Sequence, residues 1–124
     1  MKKALLFCVL MIPVSVIAKD AVGENSEISS IKSAVMDGYQ SQRNLAYGYA
    51  HGWGTIGDTD YLPKDSVKAC AWRKIIILAN KDKVDASDYG NESVDCSGVS
   101  AEENERVWSL VFMGLSFIEK AHSH

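Results

Sequence analysis

The chain has 124 residues, of which 47% are hydrophobic, and its formal net charge at pH 7 is −3. This length suits one domain with a modest hydrophobic core. A mildly acidic chain without a cluster of lysines or arginines is not the composition of a protein that binds nucleic acid or an anionic membrane surface.

The N-terminus has the three parts of a secretory signal peptide. Two lysines form a basic head, an apolar run continues to Ile17, and small side chains stand at the −3 and −1 positions before Lys19. The pattern predicts a signal peptide over residues 1–18 with cleavage after Ala18, and an uncleaved anchor is the alternative. Because the run is too short for a membrane span, we expect residues 19–124 to be periplasmic or secreted and free of the membrane. Removal of the two lysines changes the net charge from −3 to −5.

A first helix is predicted after a polar and frayed segment, residues 19–25. From Ser26 onward a series of mostly apolar side chains recurs every three or four residues: Ile28, Ile31, Val35, Tyr39, Gln42, Ala46 and Tyr49. This period predicts one amphipathic helix of about 24 residues, which the Asp37-Gly38 pair bends or splits. Its polar face is interpreted as exposed to solvent and consists of Ser29, Ser30, Lys32, Ser33, Gln40, Ser41, Arg43 and Asn44.

The end of this helix and the stretch after it predict a hairpin of two helices joined by a glycine-containing turn. Gly52 and Gly54 stop the first helix, and Pro63 followed by Asp65 begins the second. Two adjacent apolar stripes run along the second helix, one of Val67, Ala71, Ile75 and Leu78, the other of Trp72, Ile76 and Ala79. A helix that is apolar nearly all round belongs in a core. We therefore predict that this is the central helix.

Eight residues of this stretch stand at a known spacing: Leu45, Tyr49, Gly52 and Gly54 in its first half, and Asp65, Lys68, Ala69 and Trp72 in its second. The pattern resembles the Sel1-like repeat family. The chain departs from the family pattern in two places. Ala46 stands where the family has glycine, and ten residues lie between Gly54 and Asp65 where the family has a short turn. The resemblance implies a single divergent repeat over Leu45–Asn80, which is an α/α hairpin used to bind proteins, with no catalytic motif.

Beyond the hairpin the sequence predicts a loop and one more helix. Residues 80–99 are rich in turn formers and are predicted to be a loop with at most a short helical turn. Ser100 and Glu103 form a capping box, and the second half of the following helix, the most apolar part, is expected to pack deepest. His122 and His124 are predicted to be a disordered tail. The predicted fold is all-α: a small helical domain built on one α/α hairpin, with a C-terminal helix covering the central one.

Few side chains suggest chemistry. Cys70 and Cys96 are the cysteines left after signal removal, and in an oxidising compartment such a pair forms a disulfide, with two separate thiols as the alternative. His51, Asp58 and Asp60 match no recognised metal-site spacing. We therefore predict no catalytic residue, no metal ion and no cofactor.

The loop between the two repeat helices is the candidate contact surface. Trp53 and Tyr61 flank it as possible anchors, and Asp58 and Asp60 would attract a basic protein partner. The sequence predicts an exported, non-enzymatic protein-binding module, for example an immunity protein that neutralises a toxin. The alternatives are a cell-wall-directed hydrolase and a self-associating protein such as a homodimer, because a lone repeat leaves a hairpin face uncovered.

Overall fold

The computed structural model describes the backbone of residues 14–123 and the side chains from Ser26 onward. This part of the chain forms five α-helices and no strand: α1 Val14–Asp37, α2 Tyr39–His51, α3 Ser66–Ala79, α4 Ala86–Cys96 and α5 Ala101–His122. The predicted all-α class is confirmed, although the sequence predicted three helices rather than five. Residues 1–13, most of the predicted signal peptide, lie outside the described residues, so cleavage after Ala18 stays a prediction.

The long helix predicted before the hairpin is split into two helices at the Asp37-Gly38 pair, which is one of the two outcomes predicted for that pair. Gly38 separates them with φ +92°, a conformation that residues with a side chain rarely adopt. The chain then reverses, since the buried Gln42 donates from Nε2 to Ala34 O at 3.1 Å, and Tyr49 further along α2 reaches Glu27. The prediction that residues 19–25 are frayed was also wrong, because α1 includes them.

The α2–α3 hairpin contributes much of the core, as the apolar pattern predicted. Trp72, Ile75 and Ile76 of α3 are buried together with Leu45 and Tyr49 of α2. The Asp65 side chain caps α3 by accepting from Lys68 N at 3.0 Å. Helix α3 also contacts α4 and α5, so it is the central helix of the domain.

Residues 80–99 contain an 11-residue helix, α4, where the sequence predicted a loop. Asp85 caps it and Asp88 completes a capping box, but α4 has no apolar stripe and Asp88 is its only buried side chain. Long-range polar and covalent contacts hold it in place. They are the Cys70–Cys96 disulfide, the Arg73–Asp95 ion pair at 2.8 Å, and the hydrogen bond from Tyr39 to Asp88. The disulfide was predicted and is present.

Helix α5 begins at the predicted capping box, in which Glu103 N donates to Ser100 Oγ at 3.1 Å. It covers α3, but its middle packs deepest, not its second half as predicted. Val107, Val111 and Gly114 are buried against α3, whereas Phe112 and Phe117 are 65% and 49% exposed.

The C-terminus is more ordered than the sequence suggested. His122 belongs to the last turn of α5, and its Nε2 lies 3.0 Å from Val35 O of α1. The prediction of a disordered tail is therefore wrong for His122, and His124 lies outside the described residues.

Candidate functional site

An open groove of about 580 Å³ lies between α1, α2 and the loop that joins α2 to α3. We call it the α1–α2 groove. Half of its lining residues carry a hydroxyl or amide side chain: Ser26, Ser29, Ser30, Ser33, Ser41, Asn44 and Thr59. The remaining lining residues are Asp37, Leu45, Tyr47, Gly48, Trp53, Asp60 and Leu62.

The helical period places the serines of α1 on one face. Ser26, Ser29, Ser33 and Asp37 follow one another at three- or four-residue intervals, which aligns them along a single side of a helix. The opposite wall is α2, where Ser41 and Asn44 stand three residues apart. Because α1 and α2 are antiparallel neighbours, their polar faces meet across the groove.

The floor of the groove depends on a close approach between α2 and the loop. A Cβ added at Gly48 would lie 2.5 Å from Leu62 Cδ2, so any side chain at this position would force the buried Leu62 to shift away from the helix. This contact explains why glycine, despite its low helix propensity, stands inside α2.

The loop is closed at its base and tied to α1. Trp53 and Leu62 form an antiparallel bridge with backbone hydrogen bonds of 2.9 and 2.8 Å. The buried Ser26 hydroxyl lies 2.9 Å from Thr59 O and 2.8 Å from Tyr61 O, and its proton is shared between these two carbonyls. The loop therefore forms a fixed end wall of the groove.

The groove carries negative charge. Asp37 and Asp60 are its ionisable lining residues, and no lysine, arginine or histidine of the described part of the chain lines it. Asp60 Oδ2 accepts a hydrogen bond from Trp53 Nε1 at 2.7 Å, which orients the indole ring while half of it stays exposed. The exposed Tyr47 adds a second aromatic ring.

Only two of the four residues predicted to bind a partner line the groove. Trp53 and Asp60 do. Asp58 instead stabilises the turn, because its Oδ2 accepts from Thr55 N at 2.8 Å. Tyr61 is partly buried and does not line the groove.

Most of the polar lining residues were predicted to lie on a solvent-exposed face, and Ser26 and Asp37 were not selected. Those assigned to that face were Ser29, Ser30, Ser33, Ser41 and Asn44. The one sequence signal for them is the regular interval of hydroxyl side chains on α1, which is compatible with an ordinary solvated face.

Apart from Leu45, which also lines the groove, the residues of the repeat pattern have structural roles outside it. Glu27 Oε1 accepts hydrogen bonds from the Tyr49 hydroxyl at 2.6 Å and from Lys68 Nζ, which joins α1, α2 and α3. Burial raises the pKa of the Tyr49 hydroxyl, and the hydrogen bond to Glu27 raises it further. Burial alone would raise the pKa of Glu27, but the bonds from Lys68 and Tyr49 outweigh it and the pKa falls below 4.5.

The glycines of the pattern end α2 and shape the loop. Gly52 and Gly54 have φ values of +79° and +68°, which favour glycine. Buried Ala69 and Trp72 pack on the inward face of α3. The geometry of one α/α hairpin therefore explains the spacing of these residues in the sequence.

The described side chains contain no cluster of metal ligands. Within residues 14–123, whose side chains are described from Ser26 onward, no group of three or more His, Cys, Asp or Glu side chains is placed to hold a metal ion. Nor is any helix in that range long and apolar enough to cross a membrane. Among the described residues that line the groove, no histidine stands beside a serine to activate it. What the groove offers is hydrogen bonding, two negative charges and aromatic surface.

Comparison of the chain with models of protein families, with curated proteins and with solved structures found no match. The relation to Sel1-like repeats therefore remains a resemblance carried by the eight residues of the hairpin.

Proposed function

We propose that this protein is an exported, non-enzymatic module that binds a partner protein through the α1–α2 groove and its loop wall. The observation that carries the proposal is the groove itself: a rigid, solvent-open channel with hydroxyls on both walls and exposed Trp53 and Tyr47 beside them. Hydroxyl and amide groups can donate to and accept from a polypeptide backbone. Exposed aromatic rings on a fixed frame are typical anchors of protein contacts.

Export is proposed from two independent features. The N-terminal pattern is that of a signal peptide with cleavage after Ala18. The Cys70–Cys96 disulfide is a bond that persists in oxidising compartments and is rare in the cytosol. A protein that neutralises a toxin in the periplasm would be one form of such a module.

The test is co-purification from the exported fraction of the protein's own cells. Ser33→Trp places a large side chain in the middle of the groove at an exposed position. Ser93→Trp makes the same change on the exposed surface of α4 and is the matched control. We expect the wild type and Ser93→Trp to retain a stoichiometric partner and Ser33→Trp to lose it. Retention of the partner by both variants would contradict the proposal.

The loop wall is tested separately. Replacing Thr55–Asp60 with a short glycine–serine turn leaves the Trp53–Leu62 bridge in place, so the hairpin stays closed. Changes of loop length cost little stability. We expect a folded protein that has lost its partner, and a folded protein that keeps it would exclude the loop from the contact surface.

Self-association is the second candidate, favoured by one specific observation. Helix α5 exposes four large apolar side chains: Trp108, Phe112, Met113 and Phe117. Several exposed large apolar side chains on one helix are a feature of interaction sites. The solution mass of the purified protein, with and without Phe112→Ser, separates this candidate from the groove. A dimer that Phe112→Ser dissociates would support it, and a monomer would dismiss it.

A further inference from the structure

We infer that the α1–α2 groove takes an extended, basic segment of the partner, with one cationic side chain at each end. This inference rests on the proposed function and names the chemistry of its ligand. It follows from the position of the two carboxylates that line the groove.

Asp37 and Asp60 stand at opposite ends. Asp37 is the last residue of α1, next to the reversal at Gly38. Asp60 lies in the loop between Thr59 and Tyr61, whose carbonyls contact Ser26 at the other end of the polar face. Eleven residues of helix separate Ser26 from Asp37, which corresponds to about 16 Å at the rise of an α-helix.

Both carboxylates can accept a cation. Asp37 is exposed and forms no ion pair or hydrogen bond with another side chain of the described residues. Asp60 uses Oδ2 for Trp53 and keeps its other oxygen, and it has no ion pair within the same range. The exposed indole of Trp53 lies beside this second site, where it can also attract a cation to its face.

An extended polypeptide matches this spacing. Side chains at positions i and i+4 of an extended chain point to the same side and lie about 13 Å apart. The flexible stems of lysine side chains can span the remaining distance. Between the two ends, the serines and Asn44 can both donate to and accept from the backbone of such a segment.

The chemistry of the walls favours a peptide over other elongated ligands. A polyamine also carries separated positive charges, but it offers only donors and methylene groups to walls that are rich in hydroxyls. An uncharged oligosaccharide could bond to the hydroxyls and stack on Trp53, but it would leave both carboxylates without a counter-charge.

The test uses two synthetic peptides of identical composition. Each has seven residues, of glycine and serine except for two lysines, and both ends are blocked to remove terminal charges. In the first peptide the lysines are at positions 2 and 6, and in the second they are at positions 2 and 3. Binding to the protein purified from the exported fraction is measured by calorimetry at low and moderate salt.

We expect the first peptide to bind more tightly, and its affinity to fall as salt screens the pairs. Asp37→Asn and Asp60→Asn should each weaken it by about two- to five-fold, the range of a solvent-exposed ion pair. The two losses should multiply in the double variant because the sites are far apart. Asp60→Asn keeps an oxygen that can accept from Trp53. Asp82→Asn, an exposed residue of the α3–α4 turn, removes the same charge elsewhere and should have no effect.

Three outcomes would overturn the inference. The first outcome is that both peptides bind equally and that Asp82→Asn lowers the affinity as much as the groove variants do. This would show a general attraction to an acidic protein. Tighter binding of spermine or of a chitin oligosaccharide than of the first peptide would assign the groove to a small polycation or a glycan. Failure of the first peptide to bind, while Ser33→Trp still abolishes partner capture, would refute the basic segment and leave the proposed function standing. Partner capture that survives Ser33→Trp would instead refute the proposed function.

Discussion

Reduction of the Cys70–Cys96 disulfide should destabilise the protein and release α4 first. The bond joins residues 26 positions apart. Closing a loop of that length lowers the entropy of the unfolded chain enough to stabilise the fold by about 3.5 kcal/mol. Since a domain of this size has a total stability of roughly 5–15 kcal/mol, the midpoint temperature should fall by roughly 15–25 °C.

The effect should be largest in α4 because little else anchors it. Asp88 is the single buried side chain of α4, and it is polar. Its remaining ties are the partly buried Arg73–Asp95 and Lys74–Glu92 pairs and the contacts of Asp88 with Tyr39 and Arg43. Amide protons of Ala86–Cys96 should therefore exchange much faster after reduction, while those of α3 stay protected.

The assay is denaturant unfolding of oxidised and reduced protein, followed by hydrogen exchange. The control is the Cys70→Ala/Cys96→Ala double variant, whose midpoint should not respond to the reductant. If oxidised and reduced wild type differ by less than about 1 kcal/mol, the bridge is not the anchor described here. Unchanged exchange in α4 would refute the local part of the reasoning.

Three further predictions concern the core, the Glu27 cluster and export. Trp72→Ala should cost about 3–5 kcal/mol in denaturant unfolding because the side chain is buried, and the more exposed Trp108→Ala should cost clearly less; similar losses would contradict the packing of α3. Glu27→Gln should cost about 1–2 kcal/mol at pH 7, since Glu27 accepts charge-assisted bonds. The folded-state pKa of Glu27 lies below 4.5, so this stabilisation is present above pH 4.5 and lost as the pH falls through the lowered pKa. The free energies of unfolding of wild type and Glu27→Gln should therefore converge as the pH falls from 7 to 3. The difference between wild type and the control Glu105→Gln, a change at an exposed residue, should not shrink in this way. Finally, N-terminal sequencing of the exported protein should begin at Lys19, and a chain that begins at Met1 in that fraction would disprove cleavage.

Local sequence was sufficient to predict the structure of a segment wherever that segment carries its own physical signal. The apolar side chains around α3 require burial wherever the rest of the chain lies, and the structure buries most of them. The Ser100 capping box satisfies the first amides of α5 from within four residues, so it needs no tertiary partner. Cys70 and Cys96 are the cysteines that follow the N-terminal apolar run, so one pairing is open between them, and that pairing is present.

Helix α4 carries one such local signal, the capping box of Asp85 and Asp88, but this signal alone did not predict it. Its sequence has no apolar stripe, and its stability comes from partners distant in the chain, such as Tyr39, which is 49 positions away from Asp88. A period of hydrophobicity cannot reveal a helix that is held by a disulfide and ion pairs. The division at Gly38 was open for a similar reason, because a glycine within a helical pattern can be tolerated or can reverse the chain, and the packing of α2 on α1 decides which.

The groove was decided by tertiary structure alone. A row of serines on one helix has the same sequence pattern whether it faces bulk water or a second polar wall. Here α2 folds back along α1, Leu62 packs on Gly48, and Ser26 holds the loop as an end wall. The sequence by itself determined which residues are polar and which must be buried. Only the packing of two helices and a loop made the polar residues face each other. The physical reason is that a concave site is built from surfaces that are remote from one another in the chain.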